Sequence, residues 1–473
     1  MPELVTYFLL DLAVLLSLLV LGGLLVGVIL RTPSWFDTAS LSFPLGAGAF
    51  TWLLFLLSWL GVEISQLTIS LLMAGCLTIA LLVAWRLESL RWPQASGGDA
   101  RAERSSLATI AFGVVILLIV VSALLAVGRA YSTWDAVAIW SIKGYGIALE
   151  GSIFAANDWG AHGQAYPLNV PLLIALFRLA SGDVVPLSKL IFPLFWLSTL
   201  IGIYAFWRRS KVQRSMAALG LLFVATIPAI YFHGTIGYAN IPLASYIVLG
   251  TLWGIEGIRE ANPRAQTMSG ILLGLAVWTR VEGVLFSLAV VAALGGTWII
   301  SRNGRPFLRP WLLPLLGFSV IWTVFFVAFG AAGSQPSQAT GSAFGSILNG
   351  DFNLSGAGII IRYFIGRTIE LQPWGLLFPA SALLILLNFR QLYPRKHPEA
   401  FSLLFSAALM GVLSLTFFYV GSFGEIPWLY DLLTRSVPRA LFQSVFLLGV
   451  LAVLLAGYAL AKPVRQASEE EEY

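Results

Sequence analysis

Charge and cysteine are what this sequence has least of. Of its 473 residues only 11% are charged, against roughly 25% in an average soluble domain, and 58% are hydrophobic. A composition so poor in charge excludes an ordinary soluble protein. The single cysteine, Cys76, excludes a disulfide within the chain and a metal site built from several thiolates. Three scattered histidines (His162, His233 and His397) argue against a histidine-rich metal centre.

The positive net charge of +5 does not indicate a nucleic-acid partner. Most of the basic residues stand in short connections between apolar blocks, which is the pattern that membrane topology produces. The partner that this composition predicts is the lipid bilayer.

The apolar residues form about thirteen blocks, each close to the ~20 residues that a helix needs to cross the hydrocarbon core. We therefore predict an all-α, polytopic membrane protein of about 13 transmembrane helices. The first block is interpreted as a retained helix, because it is too long for a signal-peptide core and has no basic flank before it. The predicted spans are 7–30, 41–60, 66–85, 107–127, 186–206, 215–232, 239–256, 267–281, 283–300, 310–330, 372–389, 399–420 and 440–461.

The distribution of lysine and arginine predicts the orientation. Alternate connections carry 19 of the 28 basic residues, namely Arg31, Arg86, Arg91, Arg101, Arg104, Arg208, Arg209, Lys211, Arg214, Arg259, Arg264, Arg302, Arg305, Arg309, Arg390, Arg395, Lys396, Lys462 and Arg465. By the positive-inside rule this side is cytoplasmic, with the amino terminus outside and the carboxyl terminus inside. The short basic loops and the absence of sorting motifs favour a prokaryotic plasma membrane.

The other side carries longer connections at 128–185, 331–371 and 421–439. In the first, AVAIWSIKGYGIALEG has helical spacing and LLIALFRLASGD is too short to span, so we predict two juxtamembrane helices flanking a turn. Asp135 stands near the start of this connection, a few residues past a run of pure hydrocarbon. The second connection is rich in Gly, Ser and Gln and predicts a flexible outer loop, either a lid over an acceptor or simply mobile. Residues 462–473 end in EEEEY and predict a disordered, acidic cytoplasmic tail.

This order of elements resembles the GT-C class of membrane glycosyltransferases. YPLNVPLLIALFRLASGD is similar to the YPPLL stretch of that class, and GYANIPLA is similar to its GYADIPLA segment, with Asn240 in place of the acid. TRVEG is similar to the TRPEG or TKNEG of dolichyl- and polyprenyl-phosphate-mannose-like transferases. The resemblance covers roughly residues 107–300. It implies a GT-C-like core at 107–330, additional amino-terminal helices at 1–106 and carboxyl-terminal helices at 372–461.

The resemblance implies an enzyme that transfers a sugar from a polyprenyl-phosphate-linked donor to a glycan, lipid or protein acceptor. A single displacement, which inverts the anomeric centre, needs a base for the acceptor hydroxyl and cations for the departing phosphate. Asp135 is the predicted base. The predicted phosphate-side cations are Arg280, Arg435, Arg439 and Lys143. Residues predicted to support the site or contact the acceptor are Asp158, His162, His233, Tyr238 and Glu282.

Each of these residues also has a structural interpretation. Asp135 could cap an interfacial helix, and Arg280 with Glu282 could form a structural ion pair. Arg435 and Arg439, four residues apart on one helix face, could anchor the last span at the interface, and Lys143 could be a snorkelling lysine.

The residues leave metal dependence open. Asp158 and His162, separated by a Gly-containing turn, could hold a divalent cation together with Asp135. A bare Asp and His without a recognised ligand pattern do not decide whether a metal is bound.

Two other functions remain as alternatives. An O-antigen polymerase or ligase is also polytopic, but relies on outer-loop arginines and a large late loop, whereas here the organised loop is early and carries the carboxylate. A lipid or solute transporter predicts matched halves with polar residues near the membrane midplane. No internal repeat is visible in the sequence, and its polar residues concentrate at the edges of the outer loops.

Overall fold

The computed structural model describes residues 2–90, 105–159, 166–182, 187–301, 309–325, 349, 352–423 and 426–470. Within these ranges the chain is all-helical and has no β-strand. The α-helices are α1 Pro2–Leu30, α2 Trp35–Trp59, α3 Gln66–Arg86, α4 Ser106–Gly128, α5 Ile142–Glu150, α6 Ala155–Trp159, α7 Asn169–Ser181, α8 Ile191–Arg209, α9 Arg214–Ala225, α10 Pro228–His233, α11 Asn240–Arg259, α12 Pro263–Thr279, α13 Glu282–Ser301, α14 Arg309–Phe325, α15 Leu354–Ile369, α16 Leu371–Trp374, α17 Leu377–Leu387, α18 Pro398–Gly421 and α19 Ile426–Glu470. A π-helical turn, Ala136–Ser141, precedes α5.

Nine helices in the described ranges are long and apolar enough to cross a membrane. They are Glu3–Leu30, Trp35–Trp59, Gln66–Arg86, Ser106–Gly128, Leu187–Arg209, Asn240–Arg259, Glu282–Ser301, Pro398–Val420 and Leu429–Leu460. Each coincides with a predicted span, so the chain is a multi-pass helical membrane protein. Nine of the thirteen predicted spans are therefore helices of sufficient length and apolarity to cross a membrane.

The other four predicted spans fall on α9, α12, α14 and α17, which are shorter than 18 residues within the described ranges. In two of these four predicted spans, a proline or a glycine marks the point where the helix is broken. Pro228 begins α10 after α9 has ended, and Gly375, with a φ of 58°, separates α16 from α17. The end of the predicted span 310–330 lies outside the described residues.

Connections that carry basic residues meet at one end of the bundle, called here the basic face. Arg209, at the end of α8, donates to Asp37 in the first turn of α2 at 2.6 Å and to Glu256 near the end of α11 at 3.0 Å. Arg264, at the start of α12, reaches the carbonyl of Leu30 at the end of α1 at 3.4 Å. The opposite face is formed by the other ends of these helices, including the starts of α11 and α13.

Helix α7 lies inside the bundle, although its sequence predicts a juxtamembrane position. Its residues from Asn169 to Phe177 are buried, and it packs against α1, α2 and α5. The Asn169 amide accepts from Thr51 of α2 at 2.8 Å and donates to Thr279 of α12 at 2.9 Å. These two hydrogen bonds join three helices and hold the end of α12, where Arg280 follows.

The connection predicted as a flexible outer loop, 331–371, contains α15 in its second half. Ile360 and Phe364 of α15 are buried, and the Phe364 ring meets the Phe418 ring of α18 at 5.5 Å. Its composition did not indicate this helix. The first half of the connection lies outside the described residues, apart from residue 349.

Candidate functional site

Asp135 and Arg439 form an ion pair across 304 residues of sequence. Oδ2 of Asp135 accepts from Nη1 of Arg439 at 2.5 Å, and the Asp135 side chain is 4% exposed against 32% for Arg439. Asp135 has helical backbone angles at the start of the π-helical turn, and its carboxylate makes no capping hydrogen bond to any described residue. The capping interpretation of Asp135 therefore has no support, and its partner is a predicted phosphate ligand.

Arg280 is held by three hydrogen bonds. Its Nε and Nη2 donate to the two carboxylate oxygens of Glu282 at 3.1 and 2.7 Å, and its Nη1 donates to Oδ1 of Asn240. The rings of Trp140 and Tyr166 lie 5.6 and 5.3 Å from the guanidinium carbon. These contacts leave the guanidinium buried and fixed in orientation. Arg280 therefore forms a structural ion pair with Glu282 and also holds a positive charge at a defined position.

Backbone geometry requires two glycines beside these residues. Gly283, the last residue of TRVEG, would place a Cβ 2.1 Å from the carbonyl oxygen of Ala276, so only glycine lets the start of α13 approach α12. Gly237, the first residue of GYANIPLA, has a φ of 78° and lies against the ring of Tyr131. Two of the three segments that carry the resemblance, TRVEG and GYANIPLA, therefore contain a turn that positions Arg280 or Asn240.

Arg280 and Arg439 line one cavity of about 760 Å³. Its polar lining comes from Tyr166, Asn240, Arg280, Glu282, Ser414, Ser436, Arg439 and Gln443, and its apolar lining from Leu243, Val281, Val284, Leu285, Phe286, Leu413, Phe417, Phe418, Leu432 and Ala440. The walls are the starts of α11 and α13, the end of α18 and the first turns of α19. All of these lie at the opposite face.

The cavity changes from polar to apolar along its wall helices. Asn240 and Glu282 are the first residues of α11 and α13, and Arg280 directly precedes α13. Leu243 and Leu285 line the same cavity one turn further along those helices, towards the membrane interior. A ligand that fits this lining has an anionic head and a hydrocarbon tail.

His233 and Tyr238 lie beside the ion pair. The guanidinium carbon of Arg439 is 5.4 Å from the centre of the Tyr238 ring, and the His233 ring is 5.8 Å from that same ring. Nδ1 of His233 lies 2.8 Å from the carbonyl oxygen of Ala229. Burial lowers the pKa of His233 to about 4, against the opposing effect of the Ala229 hydrogen bond and with a smaller contribution from Arg439 and Arg280, so the ring is neutral near pH 7.

Asp135, His233 and Tyr238 lie beside Arg439 but are not lining residues of the cavity. Three other predicted residues also lie outside the lining. Lys143 is fully buried in α5, and burial lowers its pKa to about 8. Arg435 is 71% exposed and pairs with Asp431 at 2.8 Å, which agrees with its alternative role as an anchor. Asp158 is exposed on α6. Their predicted roles remain predictions, but Arg280 and Arg439 are the cations that the fold brings to the cavity.

The proposed cation ligands are not all described. His162 lies outside the described residues, while Asp135 is buried against Arg439 and Asp158 is exposed. Among the residues that the structure describes, no group of three His, Cys, Asp or Glu side chains is arranged to hold a metal ion.

The site contains four residues that the sequence prediction did not include: Tyr166, Asn240, Trp140 and Gln443. Asn240 and Tyr166 contact Arg280, and a neighbouring Glu282 carboxylate raises the pKa of Tyr166. The indole N–H of Trp140, the amide nitrogen of Asn240 and the amide oxygen of Gln443 have no hydrogen-bond partner among the described residues. Gln443 follows Arg439 by one turn, and a lone amide in an apolar run is the sequence signal that could have identified it.

The arrangement combines a buried carboxylate, two guanidiniums and unsatisfied polar groups beside an apolar wall. Such a site can bind an amphiphilic anion and present a carboxylate to a second substrate. No family model, curated protein or solved structure matches this chain, so its function has to be inferred from the site itself.

Proposed function

We propose that this chain is an inverting membrane glycosyltransferase with a GT-C-like fold, which uses a polyprenyl-phosphate-linked sugar as donor. The observation that carries the proposal is the cavity of about 760 Å³, in which the guanidiniums of Arg280 and Arg439 adjoin an apolar wall. The donor has the same two parts, a phosphate and a hydrocarbon chain. A water-soluble nucleotide sugar would have no use for the apolar wall.

In the proposed reaction Asp135 accepts the proton of an acceptor hydroxyl. The hydroxyl oxygen attacks the anomeric carbon as the bond between that carbon and the phosphate oxygen breaks, and polyprenyl phosphate leaves as an anion. One displacement inverts the anomeric centre. A positioned carboxylate base typically contributes about 10²–10⁴-fold to such a proton transfer.

Arg439 is the better phosphate ligand of the two cavity arginines. A guanidinium has five N–H donors, and Arg439 uses one of them in its bond to Asp135. Arg280 already makes three hydrogen bonds, so its charge acts mainly by position. A donor phosphate that draws Arg439 towards itself would release the Asp135 carboxylate for the acceptor.

We propose that the cavity lies on the extracytoplasmic side of a prokaryotic plasma membrane, and the positive-inside rule, applied to the basic face, supports that side. On that side a lipid-linked donor reaches the cavity from the bilayer and a glycan, lipid or protein acceptor reaches it from the aqueous phase. The proposal includes this location. It leaves the identities of the sugar and the acceptor open.

The test uses the full chain in nanodiscs supplied with radiolabelled polyprenyl-monophosphate sugars. Transfer of label, or slow release of free sugar by hydrolysis, is expected from the native chain and is expected to fall by at least about 100-fold in Asp135→Asn. The matched control is Asp431→Asn, which makes the same chemical change at an exposed carboxylate that pairs with Arg435 and not with a cavity arginine. Equal turnover in Asp135→Asn and the native chain would remove Asp135 from the chemistry.

A second pair of variants tests the lipid part of the site. Leu285→Trp places an indole in the cavity and is expected to raise the KM for the donor, whereas Leu288→Trp, one turn further along α13 and outside the lining, should leave it unchanged. Activity with diphosphate-linked donors alone would favour a polymerase or ligase. No turnover with any donor would favour a transporter.

A further inference from the structure

A second cavity, of about 520 Å³, lies between α15 and the first turns of α19. It shares no lining residue with the cavity that contains Arg280 and Arg439. Helix α15 supplies nearly all of its wall and α19 supplies Tyr430. The polar lining residues are Ser355, Arg362, Tyr363, Arg367, Glu370 and Tyr430.

One side of this cavity is held in place by hydrogen bonds. Arg367 donates to both carboxylate oxygens of Glu370 at 3.0 and 2.8 Å, and to the hydroxyl of Tyr363 at 3.1 and 2.6 Å. The Tyr363 hydroxyl in turn donates to Thr434 of α19 at 2.9 Å. The cluster therefore ties α15 to α19 and fixes a guanidinium at the edge of the cavity.

The other side of this second cavity carries the exposed cation Arg362. Arg362 is exposed, and no described carboxylate lies within ion-pair distance of it. Gly358 and Gly366 lie four residues before and after Arg362 on the same helix face. A Cβ added at either glycine would meet no atom of the described residues within 4 Å. With two arginines and one glutamate, the lining has an excess of one positive charge.

The face of α15 beside the cavity is apolar and exposed. Leu354, Ile361, Ile365 and Ile369 follow helical spacing, and more than half of each side chain is accessible. The buried face, with Ile360 and Phe364, packs on the bundle instead. An exposed apolar stripe on a helix next to membrane-spanning helices is suited to contact with lipid chains.

We propose that this second cavity binds the phosphate of an anionic phospholipid, whose acyl chains lie along the apolar stripe of α15. Arg362 contacts the phosphate, because a free guanidinium can bind two phosphate oxygens at once. Tyr430 supplies a hydroxyl to the glycerol or headgroup oxygens, while the Tyr363 hydroxyl, whose proton is donated to Thr434, holds Arg367 in place. The apolar stripe favours a membrane lipid over a soluble glycan, which would leave that stripe without a partner. This site is separate from the proposed catalytic cavity and does not depend on it.

The test measures lipid retained on the full chain by native mass spectrometry, after release from nanodiscs of phosphatidylcholine with 20% phosphatidylglycerol. The native chain should retain phosphatidylglycerol, and Arg362→Gln and Gly366→Leu should each weaken that retention about tenfold. The matched controls are Arg390→Gln, which removes an exposed arginine elsewhere, and Gly411→Leu, which adds the same side chain where a Cβ likewise meets no atom within 4 Å. Both controls should retain lipid like the native chain.

Three outcomes would overturn the proposal. The first is equal retention in Arg362→Gln, Gly366→Leu and the controls. The second is complete displacement of the lipid by millimolar inorganic phosphate, which would identify a free-phosphate site. The third is specific retention of a soluble anionic oligosaccharide in place of lipid. Thermal unfolding of each variant checks that folded protein is compared. Both variants should fold, because Arg362 is exposed and a Cβ at Gly366 meets no described atom within 4 Å.

Discussion

Removing Arg439 should destabilise the protein more than removing its partner Asp135. Asp135 is 4% exposed, so Arg439→Gln leaves a buried carboxylate without its counter-ion, at a cost of about 3 kcal/mol. Arg439 is 32% exposed, so in Asp135→Asn its guanidinium can be hydrated, and the expected cost is about 1 kcal/mol. The asymmetry follows from the burial of the two partners.

The double variant should then be about 2 kcal/mol more stable than the sum of the single effects predicts, because the second substitution removes a group that the first left unpaired. Unfolding by denaturant in bicelles, followed by the fluorescence of the 17 tryptophans, measures all four free energies. The control cycle uses Asp431→Asn and Arg435→Gln, an exposed pair on the same helix, with an expected coupling of at most about 0.5 kcal/mol. Equal effects of the two single variants, or coupling no larger than in the control cycle, would refute the reasoning.

Three further predictions concern the site's surroundings. Gly283→Ala forces a Cβ against the Ala276 carbonyl and should cost about 2 kcal/mol in unfolding free energy together with loss of donor binding, whereas Gly295→Ala, where a Cβ meets nothing within 4 Å, should not. Asn169→Leu removes the amide that joins α2, α7 and α12 and should cost about 1–3 kcal/mol; native-like stability would show that the network is dispensable. Because the folded pKa of His233, about 4, lies below the unfolded value of 6.5, stability should be complete above pH 6.5 and fall by about 3 kcal/mol towards pH 4. A native chain and His233→Phe with the same slope across that window would contradict this assignment.

The Asp135–Arg439 pair shows why the site could be predicted only in part. Asp135 stands out in the sequence because it follows a hydrocarbon block, and Arg439 because it sits where the last predicted span begins. Nothing local relates the two, since helical spacing predicts neighbours three or four residues apart and these residues are 304 apart. Their pairing depends on how the connection after α4 packs against α19.

Lys143 and Arg435 show that the sequence also cannot tell which cations line the cavity. Both are cations near the predicted site, and in sequence neither can be distinguished from Arg280 or Arg439. In the fold Lys143 is fully buried and Arg435 is mostly exposed, and neither lines the cavity. The direction of a side chain depends on the rotation of its helix, which local composition does not determine for helices that are apolar on most sides.

By itself the sequence determined the class of protein, nine candidate membrane-spanning helices and the grouping of basic loops. These follow from hydrophobic length and from lysine and arginine placement, which are local properties of the chain. Only the tertiary structure decided that Arg280 and Arg439 share a cavity, that α7 is buried, and that α15 carries a second cationic cavity. Those features depend on contacts between helices far apart in the chain, where the shapes and polar groups of whole surfaces must match.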